Sequence, residues 1–235
     1  MSTAKPVCVV TGVGPGNGLA ISRRFAAAGY RVAMTARGTK SLKALATQVP
    51  GARGYVLDVG DPRAVAQAFT RIRAELGPVD VLVHNAGSAA FGSFVDMNAE
   101  IFETAFRTNA LGLFLCAKEV VPEMLRAGRG CILVSGATAA LRGGAGFAAF
   151  APAKAAQRSL AQSMARSLGP QGIHVAYVVI DGVIDTPRTR SFLPDNPEDF
   201  FLKPEAIAET MYQLSQQDRS AWTFELDLRP FAESW

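Results

Sequence analysis

A chain of 235 residues, 49% of them hydrophobic, with a net charge of +4 at pH 7, is long enough to close one sizeable core and gives no reason for a second domain. Its arginines come in pairs on separate stretches, such as Arg23/Arg24 and Arg126/Arg129, with no basic stripe interleaved with aromatics, so nucleic acid is not an expected partner. There is no repeat or low-complexity tract, the longest apolar run, Ala110 to Ala117, is far below the ~20 residues that span a bilayer, and Met1 to Pro6 holds no apolar signal segment, so a cytoplasmic protein without membrane association is expected.

The first element is the apolar run Val7-Cys8-Val9-Val10, which reads as a strand buried on both faces, the usual state of a parallel sheet. It feeds into Thr11-Gly12-Val13-Gly14-Pro15-Gly16-Asn17-Gly18 and then into a helical pattern through Leu19, Ala20 and Phe25, with Asn17 as a candidate cap. Gly12, Gly16 and Gly18 leave bare backbone where a helix begins, a place suited to an anion such as a pyrophosphate. Their spacing is not Gly-x-Gly-x-x-Gly, because the third glycine of that pattern would fall on Asn17.

A second strand, Arg31 to Ala36, ends in Arg37-Gly38, and a helix follows from Thr39 to Gln48. An acid at this strand end binds a ribose 2′-hydroxyl, whereas an arginine takes a 2′-phosphate; Arg37 therefore favours NADP(H) over NAD(H), against the plainer reading of an exposed strand-end arginine. Gly54 to Leu57 is a third strand closing on Asp58, which has two readings, a cofactor contact or a cap for the helix that starts at Pro62 and runs to Leu76. A fourth strand, Val81 to Val83, leads into His84-Asn85-Ala86-Gly87, with His84 read as a packing residue. Helical stretches follow over Ala99 to Arg107 and Ala110 to Arg126, with Asn109 between them. Cys131 to Ser135 is a fifth strand, a loop rich in glycine and alanine runs to Phe150, and Pro152 opens a helix carrying Lys154. Ile173 to Val179 is a sixth strand, Pro204 starts a last helix, and Thr223 to Leu228 alternates like an edge strand. Cys8, Cys116 and Cys131 are odd in number and lack metal-ligand spacing, so they read as reduced core residues, and no metal site is expected.

The glycine turn after the first strand, with Asn85-Ala86-Gly87 after the fourth, resembles the short-chain dehydrogenase/reductase family. The resemblance covers nearly the whole chain. It implies an α/β, single-domain Rossmann-like doubly wound parallel sheet flanked by helices, with the cofactor crevice at the carboxyl ends of the strands. It also implies roles for individual residues. Asp58 would meet the adenine amino group, and Asn85 and Gly87 would line the cofactor cleft. Asn109 would hold a water that joins Lys154 to solvent, the alternative being a helix kink. Lys154 would bond the nicotinamide ribose, and backbone near Ile184 with the Thr186 hydroxyl would hold the nicotinamide amide. Residues 187–203 correspond to the family's substrate lid, and the helix Ala110 to Arg126 with its Lys154-bearing neighbour implies a homo-oligomer, a dimer or tetramer, to which the tail Phe231 to Trp235 would add.

The chain departs from the family at the chemistry. Phe150 stands four residues before Lys154, where the family has its proton-transferring tyrosine, and Ala137 stands at the substrate-binding serine. A phenyl ring has no exchangeable proton. Ser135, two residues earlier on the same side of an extended strand, serves only with a register shift, and Thr138 points to the other side while the strand persists. Asp181 replaces the usual proline of the segment that ends at Thr186. Two functions stay open on the sequence. One is an NADP(H)-dependent reductase or dehydrogenase of a small carbonyl or alcohol, whose proton passes through the ribose hydroxyl, water and Lys154, or through Ser135, with Asn109 beside the lysine. The other is a catalytically impaired cofactor-binding sensor or scaffold.

Overall fold

A computed structural model describes residues 5–232; residues 1–4 of the stretch read above for a signal segment, and the tail residues 233–235, lie outside the described residues. Strand β1 (Val7–Thr11) is buried along its whole length, and helix α1 (Asn17–Ala27) follows. The chain continues through β2 (Arg31–Ala36), α2 (Thr39–Ala46), β3 (Arg53–Val56), α3 (Pro62–Leu76), β4 (Val81–His84) and α4 (Ala99–Phe106). A π turn, Arg107–Leu111, joins α4 to α5 (Gly112–Ala127), and β5 (Gly130–Ser135), α6 (Phe150–Leu168) and β6 (Ile173–Ile180) come next. Short β7 (Val183–Ile184), α7 (Pro187–Phe192), β8 (Phe201–Leu202), α8 (Pro204–Ser215) and β9 (Glu225–Leu228) follow within the described residues.

The main sheet has the order β3-β2-β1-β4-β5-β6-β9 with every pair parallel. Alternation along each strand divides the core between the two faces of the sheet. Val7 and Val9 of β1, with Val175, Tyr177 and Val179 of β6, pack toward Phe69 of α3, Leu113 of α5 and Met164 of α6. Cys8 and Val10, with Ala176 and Val178, pack toward Phe25 of α1, Leu42 of α2 and Met211 of α8. The chain runs outward from β1 to β3 and then returns to the other side of β1 at β4, so the carboxyl ends of β1 and β4 flank a crevice.

Several local readings change. Asn17 is not the cap of α1; Gly16 holds that position without a side-chain bond, and Asn17 is buried as the first helical residue. The cap of α3 is Asp61, whose carboxylate accepts from Arg63 N at 2.8 Å, and Asp58 instead accepts from Gly60 N at 2.9 Å. Asn109 falls inside the π turn, and α5 begins two residues later than the apolar spacing suggests. The 187–203 segment contains α7 and β8, and β8 pairs with β7, which lies just before the segment, so its two ends are anchored together. Phe231 is exposed.

Candidate active site

The first arm of the site is the β1–α1 turn. Gly12 has φ +67, and a Cβ there would lie 2.4 Å from Ala86 Cα; a Cβ on Gly18 would lie 2.6 Å from Val13 Cα, and one on Gly16 would lie 2.7 Å from Thr186 Cγ2. Gly12 and Gly18 let backbone pass close to backbone, and Gly16 makes room for the Thr186 methyl, packing contacts that the sequence does not show. Open space belongs to Gly14, where a Cβ would meet no atom within 4 Å. Beside it a cavity of about 410 Å³ is lined by Gly12, Gly14, Arg37, Ser41, Asp58 and Asn85 among others. Arg37 is exposed and makes no hydrogen bond or ion pair among the described residues. Ser41, a hydroxyl on the first turn of α2, escaped the sequence reading; its position four residues after Arg37, on a helix start facing the same strand end, was the available signal.

The features fit a dinucleotide. The start of α1 has no side-chain cap, so its free N–H groups point toward the turn, and Asn17 Oδ1 is buried without a hydrogen-bond partner among the described residues. Asn85 braces the crevice, its Nδ2 donating to Gly12 O at 2.9 Å and its Oδ1 accepting from Ser135 Oγ at 3.0 Å. One side chain thereby ties together the ends of β1, β4 and β5.

The second arm is centred on Lys154. It is only 5% exposed, and its Nζ donates to Ser135 O at 2.8 Å and to Gln157 Oε1 at 3.0 Å. Burial disfavours the ammonium and lowers its pKa to about 7. Asn109 Nδ2 donates to Ser88 O at 3.1 Å and Ala105 O at 2.9 Å, while its Oδ1 is buried without a partner among the described residues. Gly87 joins the two, since a Cβ there would lie 3.2 Å from Asn109 Oδ1 and 3.7 Å from Lys154 Nζ. His84 is fully buried against Thr11 Oγ1 at 3.2 Å, and burial first, then the charge of Lys154, lowers its pKa to about 3. It stays neutral at ordinary pH and acts as packing.

Phe150 opens α6 one helical turn before Lys154, and its ring sits 5.5 Å from that of Phe91 and 6.1 Å from that of Phe147. Phe91, Phe147 and Phe150 thus form an aromatic cluster at the start of α6. Ser135 is buried, and its hydroxyl is committed to Asn85. The strand ends there, so Thr138 is not on the far side of an extended chain; it opens a 3-10 turn, and its hydroxyl donates to the Asp181 carboxylate. The other oxygen of Asp181 lies 3.5 Å from Arg229. This chain of polar groups holds the turn at the end of β6 where a proline is usual in the resembled family. Ile184 lies in β7, and Thr186 caps α7, its Oγ1 accepting from Thr189 N at 3.1 Å.

Among the described residues no group of three His, Cys, Asp or Glu side chains is placed to hold a metal, and no helix is long and apolar enough to cross a membrane.

Comparison with known proteins bears on this cleft directly. A family model described as short chain dehydrogenase matches residues 6–197. The chain is 38% identical over 183 residues to the 3-oxoacyl-acyl-carrier-protein reductase MabA of Mycobacterium tuberculosis, covering 78% of this chain and 71% of that one. It is 33% identical over 190 residues to the corresponding reductase FabG of Escherichia coli, covering 80% and 78%. Among solved structures, an alcohol dehydrogenase from Thermococcus sibiricus complexed with 5-hydroxy-NADP superposes with a TM-score of 0.86 at 26% identity, covering 98% of both chains. A metagenomic short-chain oxidoreductase in complex with NADP gives 0.84 at 27% identity, covering 99% of this chain and 100% of that one. A parallel sheet that reverses at β1, a glycine turn at its carboxyl edge and relatives that are themselves reductases lead to one assignment: the chain belongs to the short-chain dehydrogenase/reductase family of nicotinamide-dependent oxidoreductases.

Proposed function

We propose that this protein is an NADP(H)-preferring reductase of small carbonyl compounds, reversible toward the alcohol, in which Lys154 moves the proton that a tyrosine moves elsewhere in the family. The observation that carries the reading is a buried lysine facing the cleft, held by two neutral acceptors, with its pKa lowered to about 7. Gly12, Gly14, Gly16 and Gly18 would shape the pyrophosphate site, Arg37 with Ser41 would take the 2′-phosphate, and Asp58 would face the adenine. Asn85 and Gly87 would line the nicotinamide side with Ile184 and Thr186. Bound NADPH supplies a hydride for a carbonyl carbon. What the protein must add is a proton at the carbonyl oxygen. Lys154 has a donor left on the Gly87 side, whereas the Ser135 hydroxyl is occupied by Asn85 and Phe150 has none to give. Asn109 positions the π turn behind the lysine. Relatives named as 3-oxoacyl reductases, and neighbours crystallised with NADP, support the reaction direction and the cofactor.

The segment 187–203 serves as a lid on the substrate side, and the protein works in the cytoplasm as a homo-oligomer. Ile101 and Phe102 of α4, with Phe114 and Leu125 of α5, leave apolar surface exposed for pairing. Light scattering at micromolar concentration should give a particle larger than the 24.9 kDa chain.

A second reading has its own support. The Phe91, Phe147 and Phe150 rings pack against one another where a donor is needed, which suits a protein that retains the cofactor without turning it over. Steady-state NADPH oxidation across a panel of carbonyl compounds decides between them. Turnover that is lost in Lys154→Met by about 10²-fold or more supports the reductase. No turnover on any compound while NADPH still binds supports the sensor or scaffold.

A further inference from the structure

Of the buried residues of α6, only Lys154 and Gln157 are polar. Gln157 has no exposed surface, and it lies one turn beyond the lysine on the same side of the helix. Its Oε1 accepts from Lys154 Nζ at 3.0 Å, and its Nε2 donates to the main-chain carbonyl of Asn109 at 2.9 Å. That carbonyl belongs to the π turn Arg107–Leu111, where the ordinary α-helical pattern is interrupted and a backbone acceptor is turned toward α6. An amide buried without partners is costly, and here both ends are used, so the side chain is fixed as a strut between two elements.

The strut also determines the electrostatic company of the lysine. An ammonium has three donors, and Ser135 O and Gln157 Oε1 take two of them. Both acceptors are neutral. Facing Lys154 from the other elements are His84 of β4, Asn109 of the π turn and, through its hydroxyl at 3.5 Å from the Lys154 carbonyl, Tyr177 of β6. No carboxylate is bonded to the ammonium among the described residues.

We propose that Gln157 is the positioning residue of Lys154: its amide fixes the ammonium through a neutral acceptor, leaving one N–H for the cleft and a proton that is not locked into an ion pair. This rests on the reading of Lys154 as the proton-moving group and names what sets its place and charge. A carboxylate at the same atom would hold the lysine equally well but would trap its proton.

The test reads the lysine in the cofactor-free chain, by the pH dependence of the side-chain 13C shifts of labelled lysines, with Lys154→Met assigning the signal. Gln157→Glu should raise the proton affinity of Lys154 by at least about tenfold. Gln157→Met, of similar length but without either bond, should weaken NADPH binding in a fluorescence titration by about fivefold or more without raising that proton affinity. A folded Gln157→Glu protein with an unmoved lysine titration overturns the proposal, and so does a folded Gln157→Met protein that binds NADPH as the wild type does. If one substitution prevents folding, the other decides alone. The titration needs no turnover, so a wild type that reduces nothing, with the Gln157→Glu shift intact, removes the reductase reading and leaves the strut in place.

Discussion

If Lys154 moves the proton as proposed, the pH dependence of carbonyl reduction follows from the burial of that lysine. Moving its pKa from 10.5 to about 7 is a change of roughly 5 kcal/mol in the relative standing of the charged form, and desolvation is its cause. Reduction needs the ammonium form. At pH 6 most of the lysine carries its proton, and at pH 9 roughly a hundredth does. The value of kcat/KM for reduction should therefore be flat in acid and fall about tenfold per pH unit above the inflection, while oxidation of the alcohol shows the mirror image. Binding of an anionic cofactor favours the ammonium, so the inflection with NADPH saturating lies at 7 or above and not below it. The assay is initial-rate NADPH oxidation between pH 5.5 and 10 with a carbonyl found in the panel, repeated on Lys154→Met. A profile that stays level through pH 10, or one whose falling limb persists unchanged in Lys154→Met, refutes the reasoning. The same shift has a stability consequence. Between about 7 and 10.5 the unfolded chain holds a proton on this lysine that the folded chain does not, so its contribution to stability rises with pH across that window and opposes the usual alkaline loss.

Arg37→Asp should invert the cofactor preference, tightening NADH relative to NADPH, because it replaces an unpaired guanidinium with a carboxylate at the strand end; equal affinities before and after, by fluorescence titration, would remove Arg37 from the 2′-phosphate site. Gly14→Val should fold normally and bind NADPH at least about tenfold more weakly, since its side chain enters open space beside the cavity, whereas Gly12→Val should lose thermal stability, with a Cβ forced to 2.4 Å from Ala86 Cα at φ +67; circular dichroism melts and binding titrations separate the two effects. Phe150→Tyr with Ala137→Ser supplies a phenol one helical turn before Lys154 and a hydroxyl at the end of β5, and under the proposed reading turnover should rise at least about tenfold with little change in NADPH affinity; an unchanged rate would mean that the wild-type lysine route already carries the proton as fast as a phenol does.

How much of this was readable in advance depends on the range over which each feature is decided. Apolar runs such as Val7 to Thr11 and Ile173 to Ile180 determine buried parallel strands locally, because residues two apart share a face and both faces are covered. The pairing of Thr11-Gly12 with Asn85-Ala86-Gly87 marks the crevice, and that Phe150 offers no phenol and Ala137 no hydroxyl is plain from residue identity, since what a side chain can donate is a property of the side chain alone. Contacts between distant positions are a different matter. That Gln157 reaches across to Asn109, that Thr138 and Arg229 meet on Asp181, and that Ser135 spends its hydroxyl on Asn85 all depend on strand ends and helix starts brought together by the sheet. The glycines show the division most clearly. Sequence marks Gly12, Gly16 and Gly18 as places without a side chain, but only the packed backbone shows that the atoms filling that space are Ala86, Thr186 and Val13, because steric exclusion is decided by what lies nearby in three dimensions and not by what lies next along the chain.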